Sequence, residues 1–187
     1  MKLWTILRFL VIIVWPFAVY FGLGHLEPRH LVVLLLVVVL MRRGAIQGLK
    51  ALRLVDWALL GVTGLLAGAI IWSNSEPLLR LYPVVISLGL LVVFAYSLFY
   101  PPSLVERIAR LKDPDLPSGG GAYTRRVTQI WCGFFIFNAA VSTVSALAAD
   151  RTTWLFYNGF LSYLLVGLLF AGEWLIRRRL FPRSPVP

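Results

Sequence analysis

The chain has few of the side chains that carry polar chemistry. Its 187 residues include one cysteine, Cys132, and two histidines, His25 and His30. A lone thiol forbids an intramolecular disulfide, and its place within an apolar run reads as a small core side chain rather than a nucleophile. The histidines stand five apart beside Glu27, with Pro28 between them and no third or fourth strong ligand nearby. The expectation is a solvated loop and no metal site. Acids number 8 against 18 Lys and Arg. There is no HExxH, GxSxG or P-loop. No catalytic residue and no cofactor is therefore assigned; chemistry built from Asp56, Glu173 and tyrosines is the one enzymatic reading left open.

Apolar residues dominate instead. The chain is 59% hydrophobic and 14% charged, with a mean hydropathy of +0.82, a composition foreign to soluble domains. Several runs approach the roughly 20 residues that cross a bilayer. The expected fold is all-α: a polytopic transmembrane helical bundle of about six spans plus a short interfacial helix, a single integral membrane domain over 1–187. The spans are expected at 3–23, 28–46, 54–72, 80–100, 123–149 and 154–176, the interfacial helix at 103–112 and a flexible loop at 113–122. The formal charge of +10 lies between the spans, which points to membrane orientation and anionic headgroups rather than nucleic acid.

Local signals refine this outline. Lys2 precedes the first apolar run, but no small-residue cleavage site follows Leu23, so a retained span is expected, kinked at Pro16, with Arg8 snorkelling to the interface. The uninterrupted second run, Leu31 to Met41, is short, and a re-entrant hairpin with the first is the alternative to a full crossing. In the third span Asp56 suits a helix N-terminus, and Gly61, Gly64 and Gly68 permit close helix approach. A loop from Ser73 to Leu79 leads to the fourth span, which carries Pro83 in its first turn and Tyr96 and Tyr100 near its far end, where an aromatic belt belongs. After Pro101 and Pro102, Ser103 and Glu106 have capping-box spacing. Leu104, Ile108 and Leu111 then share one helical face while Arg107, Arg110 and Lys112 project elsewhere. The segment from Pro114 to Gly121 reads as a flexible linker.

The most informative stretch is Tyr123 to Ser145. Thr124, Thr128, Asn138, Ser142 and Ser145 recur at intervals of 3 and 4 or their sums, with Trp131 and Phe135 filling the same stripe. Hydrocarbon offers hydroxyls and amides no partner, so this face is expected to meet other helices or a water-accessible cavity. Asp150 and Arg151 form the next turn, and Asn158, Ser162 and Glu173 fall at intervals compatible with one face of the last span.

With both termini cytoplasmic, 15 of the 18 basic residues lie inside, and only Arg29, Arg80 and Arg151 lie outside. This topology brings Asp56, Arg125, Arg126 and Glu173 to one edge of the bundle. A planar arginine fork suits phosphate or carboxylate, so these four are a candidate site for an anionic headgroup or an activated acyl substrate. The competing reading makes the arginines topology anchors, with Glu173 neutralising a neighbour.

From Ser75 through Phe181 the order of elements resembles the bacterial intracellular septation protein A family of small inner-membrane proteins. The resemblance is carried by SEPLLRLYPVVIS entering the fourth span, PPSLVERIARL after it, Trp131 with Phe134 and Phe135, and Trp154 opening the sixth. YTRRVTQIWCGFFIFN is more similar to an uncharacterised group associated with aryl-polyene and fatty-acid-like biosynthesis clusters. Asn138 lies closer to Trp131 than the family's asparagine does, Ser142 being the nearer match. The resemblance implies a cell-envelope role in the bacterial inner membrane without an established reaction. The expected function is a non-enzymatic accessory protein that binds membrane lipids or envelope-biogenesis and lipid-biosynthesis membrane proteins. The alternatives are a transporter or flippase for an anionic amphiphile and, behind it, a membrane enzyme acting on acyl or lipid substrates.

Overall fold

The computed structural model describes residues 26–33 and 53–181, excluding the side chains of 53–60 and of Lys112. The first expected span and most of the second lie outside the described residues. Within them every regular element is helical. Residues 28–33 are helical, followed by α1 (Arg53–Ser73), α2 (Glu76–Arg80), α3 (Tyr82–Phe99), α4 (Leu104–Lys112), α5 (Gly120–Ala148), α6 (Arg151–Leu155), a π-helical segment (Phe156–Leu161) and α7 (Ser162–Leu180).

Among the described residues three helices are long and apolar enough to cross a membrane: Glu76–Phe99, Gly120–Ala148 and Arg151–Leu180. Each extends past the apolar core expected from sequence. The supposed loop from Ser73 to Leu79 is largely helix, because Ser75 accepts a hydrogen bond from Leu78 N–H and Pro77 occupies an early position that needs no donor. α5 starts within the supposed linker. Gly119 adopts φ 84 at its N-cap, a conformation that glycine adopts without penalty, and Gly120 opens the helix. The turn at 150 is the tight one expected, with the Asp150 carboxylate capping α6 by accepting from Thr152 and Thr153 N–H.

Long-range bonds make α3, α5 and the last helix successive antiparallel neighbours. Leu98 meets Arg125 at one end of the α3–α5 pair, and Ser87 meets Asn138 farther along it. Tyr123 likewise meets Glu173 while Asn138 meets Tyr157. Two apolar clusters close the described bundle. Around Trp154, which is fully buried, gather Leu31, Val32, Ile70, Leu79 and Tyr82. Nearer the arginine-rich end, Val127, Trp131 and Phe135 pack with Phe94 and Val105.

Two sequence expectations are corrected. Gly61, Gly64 and Gly68 have no atom within 4 Å of an added Cβ, so they mediate no close approach among the described residues. The capping box of α4 does not form. Ser103 makes no side-chain cap bond. The Leu104 N–H instead donates to Ser97 Oγ at 2.8 Å, supplied by the preceding helix, and Glu106 accepts from Arg110.

Candidate functional site

The polar stripe of α5 divides into two chemically different parts. Near its start, Thr124 donates to Gly121 O and Thr128 to Thr124 O, so these buried hydroxyls are satisfied by their own helix. Farther along, the stripe bonds across helices. Asn138 Nδ2 donates to Ser87 Oγ at 2.9 Å and Asn138 Oδ1 accepts from Tyr157 OH at 3.0 Å. Four residues on, Ser142 Oγ donates to Asn158 Oδ1 at 2.7 Å. Asn158 Nδ2 donates to Ser145 Oγ and to Trp154 O. Asn158 is only 4% exposed. Each amide therefore finds partners at a depth where lipid supplies none.

The π segment makes this pairing possible. In an ordinary α-helix, consecutive side chains diverge by about 100°. Tyr157 and Asn158 both face α5, because the extra residue in the widened turn at Phe156–Leu161 locally shifts the register. Ser162 donates to Asn158 O within its own helix, whereas Glu173 lies at the far end.

Between the interhelical amides and the arginine-rich end lies an aromatic layer. Trp131 stacks obliquely on Phe170 with ring centroids 4.8 Å apart, and Phe135 meets Phe94 edge-on at 5.1 Å. The stripe is thus interrupted by rings.

At the arginine-rich end the expected residues have separate partners. Arg125 Nη1 donates to Leu98 O at 2.9 Å. Arg126 is exposed. Glu173 pairs with Arg177 at 3.2 Å and accepts from Tyr123 OH at 3.5 Å, while Tyr123 OH also donates to Glu173 O. Glu173 therefore neutralises Arg177 on its own helix, not Arg125 or Arg126. Asp56 belongs to the early part of α1, and its side chain lies outside the described residues.

A second polar cluster, at the opposite end, was not singled out from sequence. Glu76 accepts a two-pronged contact from Arg151, Nε to Oε1 at 3.1 Å and Nη2 to Oε2 at 2.8 Å, and also pairs with Arg80. Arg80 Nη1 donates to Ala149 O, and Arg80 O accepts from Trp154 Nε1. This clasp ties the start of α2–α3 to the turn between α5 and α6. The sequence signal for it was three polar residues flanking predicted spans on the side poor in basic charge.

Among the described residues, no group of three or more His, Cys, Asp or Glu is placed to hold a metal ion. No family model, curated protein or solved structure matches the chain.

Proposed function

We propose that the chain is an inner-membrane accessory protein of the bacterial cell envelope, with both termini cytoplasmic, supporting envelope assembly or septation by binding lipid or membrane partners. The observation that carries this reading is the mutual pairing of the interhelical amides. Asn138 and Asn158 engage Ser87, Tyr157, Ser142, Ser145 and the Trp154 carbonyl. Polar groups used this way hold helices in register. The aromatic layer around Trp131 adds a barrier on the path a polar cargo would take through the stripe. The topology follows the bias of basic residues, and the envelope role follows the resemblance over Ser75 to Phe181.

The second reading is a flippase for an anionic amphiphile. It is favoured by basic residues gathered at one end of a helix that carries polar groups into the membrane. Transbilayer movement of a fluorescent anionic phospholipid in proteoliposomes separates the two. The accessory reading expects movement at the rate of protein-free vesicles, and acceleration proportional to protein content would replace it with the flippase.

A further inference from the structure

α3 ends before Pro101 and Pro102. Proline cannot continue the helical ladder, so the last carbonyls lack helical donors. Two arginines from different elements supply them. Arg107 of α4 donates from Nε to Pro102 O at 2.7 Å and from Nη2 to Tyr100 O at 2.8 Å. Arg125 of α5 donates from Nη1 to Leu98 O. Both guanidinium groups thus converge on one helix end.

Their partners are neutral, and among the described residues no carboxylate pairs with either. Glu106 is held by Arg110 and Glu173 by Arg177. The C-terminus of a helix carries roughly half an elementary negative charge, too little to cancel two cations. Each guanidinium has five N–H donors, so several stay open after these bonds.

Exposed apolar surface lies beside the two charges. Phe99, between the bonded carbonyls of Leu98 and Tyr100, is 80% exposed; Leu111 is 83% exposed. Leu104, Ile108 and Leu111 share a face of α4. Leu104 is buried, while Ile108 and Leu111 carry that face beyond the protein interior. A pair of cations above an apolar flank, at the end of a membrane-crossing helix, matches an anionic amphiphile.

We infer that Arg107 and Arg125 together hold the phosphate of an anionic glycerophospholipid, whose acyl chains lie along Phe99 and the Ile108–Leu111 face. This rests on the lipid-binding reading above and names its ligand and residues. Arg107 joins Arg125 in the site; Arg126 and Glu173 do not.

The test uses the full chain in nanodiscs containing equal phosphatidylglycerol and phosphatidylcholine, with retained lipids counted by native mass spectrometry. Wild type is expected to prefer phosphatidylglycerol about thirtyfold, from the attraction of anionic lipid for two nearby cations. Arg107→Gln with Arg125→Gln keeps side-chain donors for the carbonyls but removes both charges, and brings the preference near parity. Arg107→Lys with Arg125→Lys retains most of it, and Arg126→Gln leaves it unchanged. Equal retention of the two lipids by wild type, a result that depends on no variant folding, overturns the inference. A preference that survives the glutamine pair, or displacement of the lipid by inorganic phosphate at equal concentration, does so too. The accessory reading fails separately. A phosphatidylglycerol preference accompanied by accelerated transbilayer movement keeps the site and removes the accessory role; loss of the preference without such movement does the reverse.

Discussion

Tyr157 and Asn158 are adjacent in sequence, yet both hydrogen-bond to α5, Tyr157 through Asn138 and Asn158 through Ser142. The π-helical turn that contains them allows two neighbouring side chains to serve one partner helix. Its geometry is sustained by the bonds it permits, so the network and the local backbone support one another.

Asn158 should matter more than Asn138. Asn158→Leu removes three interactions, two with serines and one with the Trp154 carbonyl, whereas Asn138→Leu removes two. At about 0.6 kcal/mol per interhelical bond, the two such bonds of each residue give an expected loss of about 1 kcal/mol, and the bond to Trp154 O within its own helix adds up to about 0.5 kcal/mol for Asn158→Leu. Ser162→Ala, which removes a bond within one helix, should change stability by less than about 0.5 kcal/mol. Reversible unfolding in micelles measures all three, and a loss for Ser162→Ala equal to that for Asn158→Leu would contradict the ranking.

Ser97 and Ser103 exchange the roles that spacing suggests. Ser97→Ala should cost about 1 kcal/mol by leaving the buried Leu104 N–H without its acceptor. Ser103 Oγ is buried without a hydrogen-bond partner, so Ser103→Ala should be neutral or slightly stabilising. Amide exchange at Leu104 provides a local check: faster exchange is expected in the Ser97 variant alone.

These residues show what was legible and what was not. Apolar runs located the three membrane-length helices, and the period of α5 identified the face that carries Asn138, Ser142 and Ser145. The spacing could not reveal that Thr124 and Thr128 bond backward along their own helix, because the same residues at the same intervals serve either use. Consecutive Tyr157 and Asn158 in an apolar span violate a 3.6-residue period, a trace of the π turn that an α-helical template discards. At Ser103 and Glu106 the capping pattern was present, but Ser103 makes no side-chain cap bond, the Glu106 carboxylate is taken by Arg110, and Ser97 from the preceding helix accepts from a different donor, Leu104 N–H. Charge bias grouped Arg107 and Arg125 on one side of the chain, but spacing could not show that both donate to carbonyls between Leu98 and Pro102, because Arg107 belongs to a separate amphipathic helix.

Arg125 and Arg126 should separate cleanly in stability measurements. Arg125→Ala removes a charge-assisted bond to the end of α3 and is expected to cost about 1 kcal/mol, reduced from the usual charged-bond value by its exposure. Arg126→Ala should remain within about 0.5 kcal/mol of wild type. The same micelle unfolding assay reads both, and equal losses would remove Arg125 as the clamp on Leu98.

The turn between the last two membrane-length helices should weaken in acid. Hydrogen bonds from the Thr153 side chain, then from backbone N–H groups at 153 and 152, hold the Asp150 carboxyl below its ordinary value despite some opposing desolvation. A carboxylate whose folded pKa is depressed stabilises the fold above its unfolded pKa and loses that contribution as pH falls through the folded value. The cap should therefore be constant above about pH 5 and fade below the usual carboxylate range. Asp150→Asn retains a capping oxygen without the titration, so its stability relative to wild type should improve as the solution is acidified. Parallel stability–pH curves for the two proteins would show that Asp150 does not couple this turn to protons.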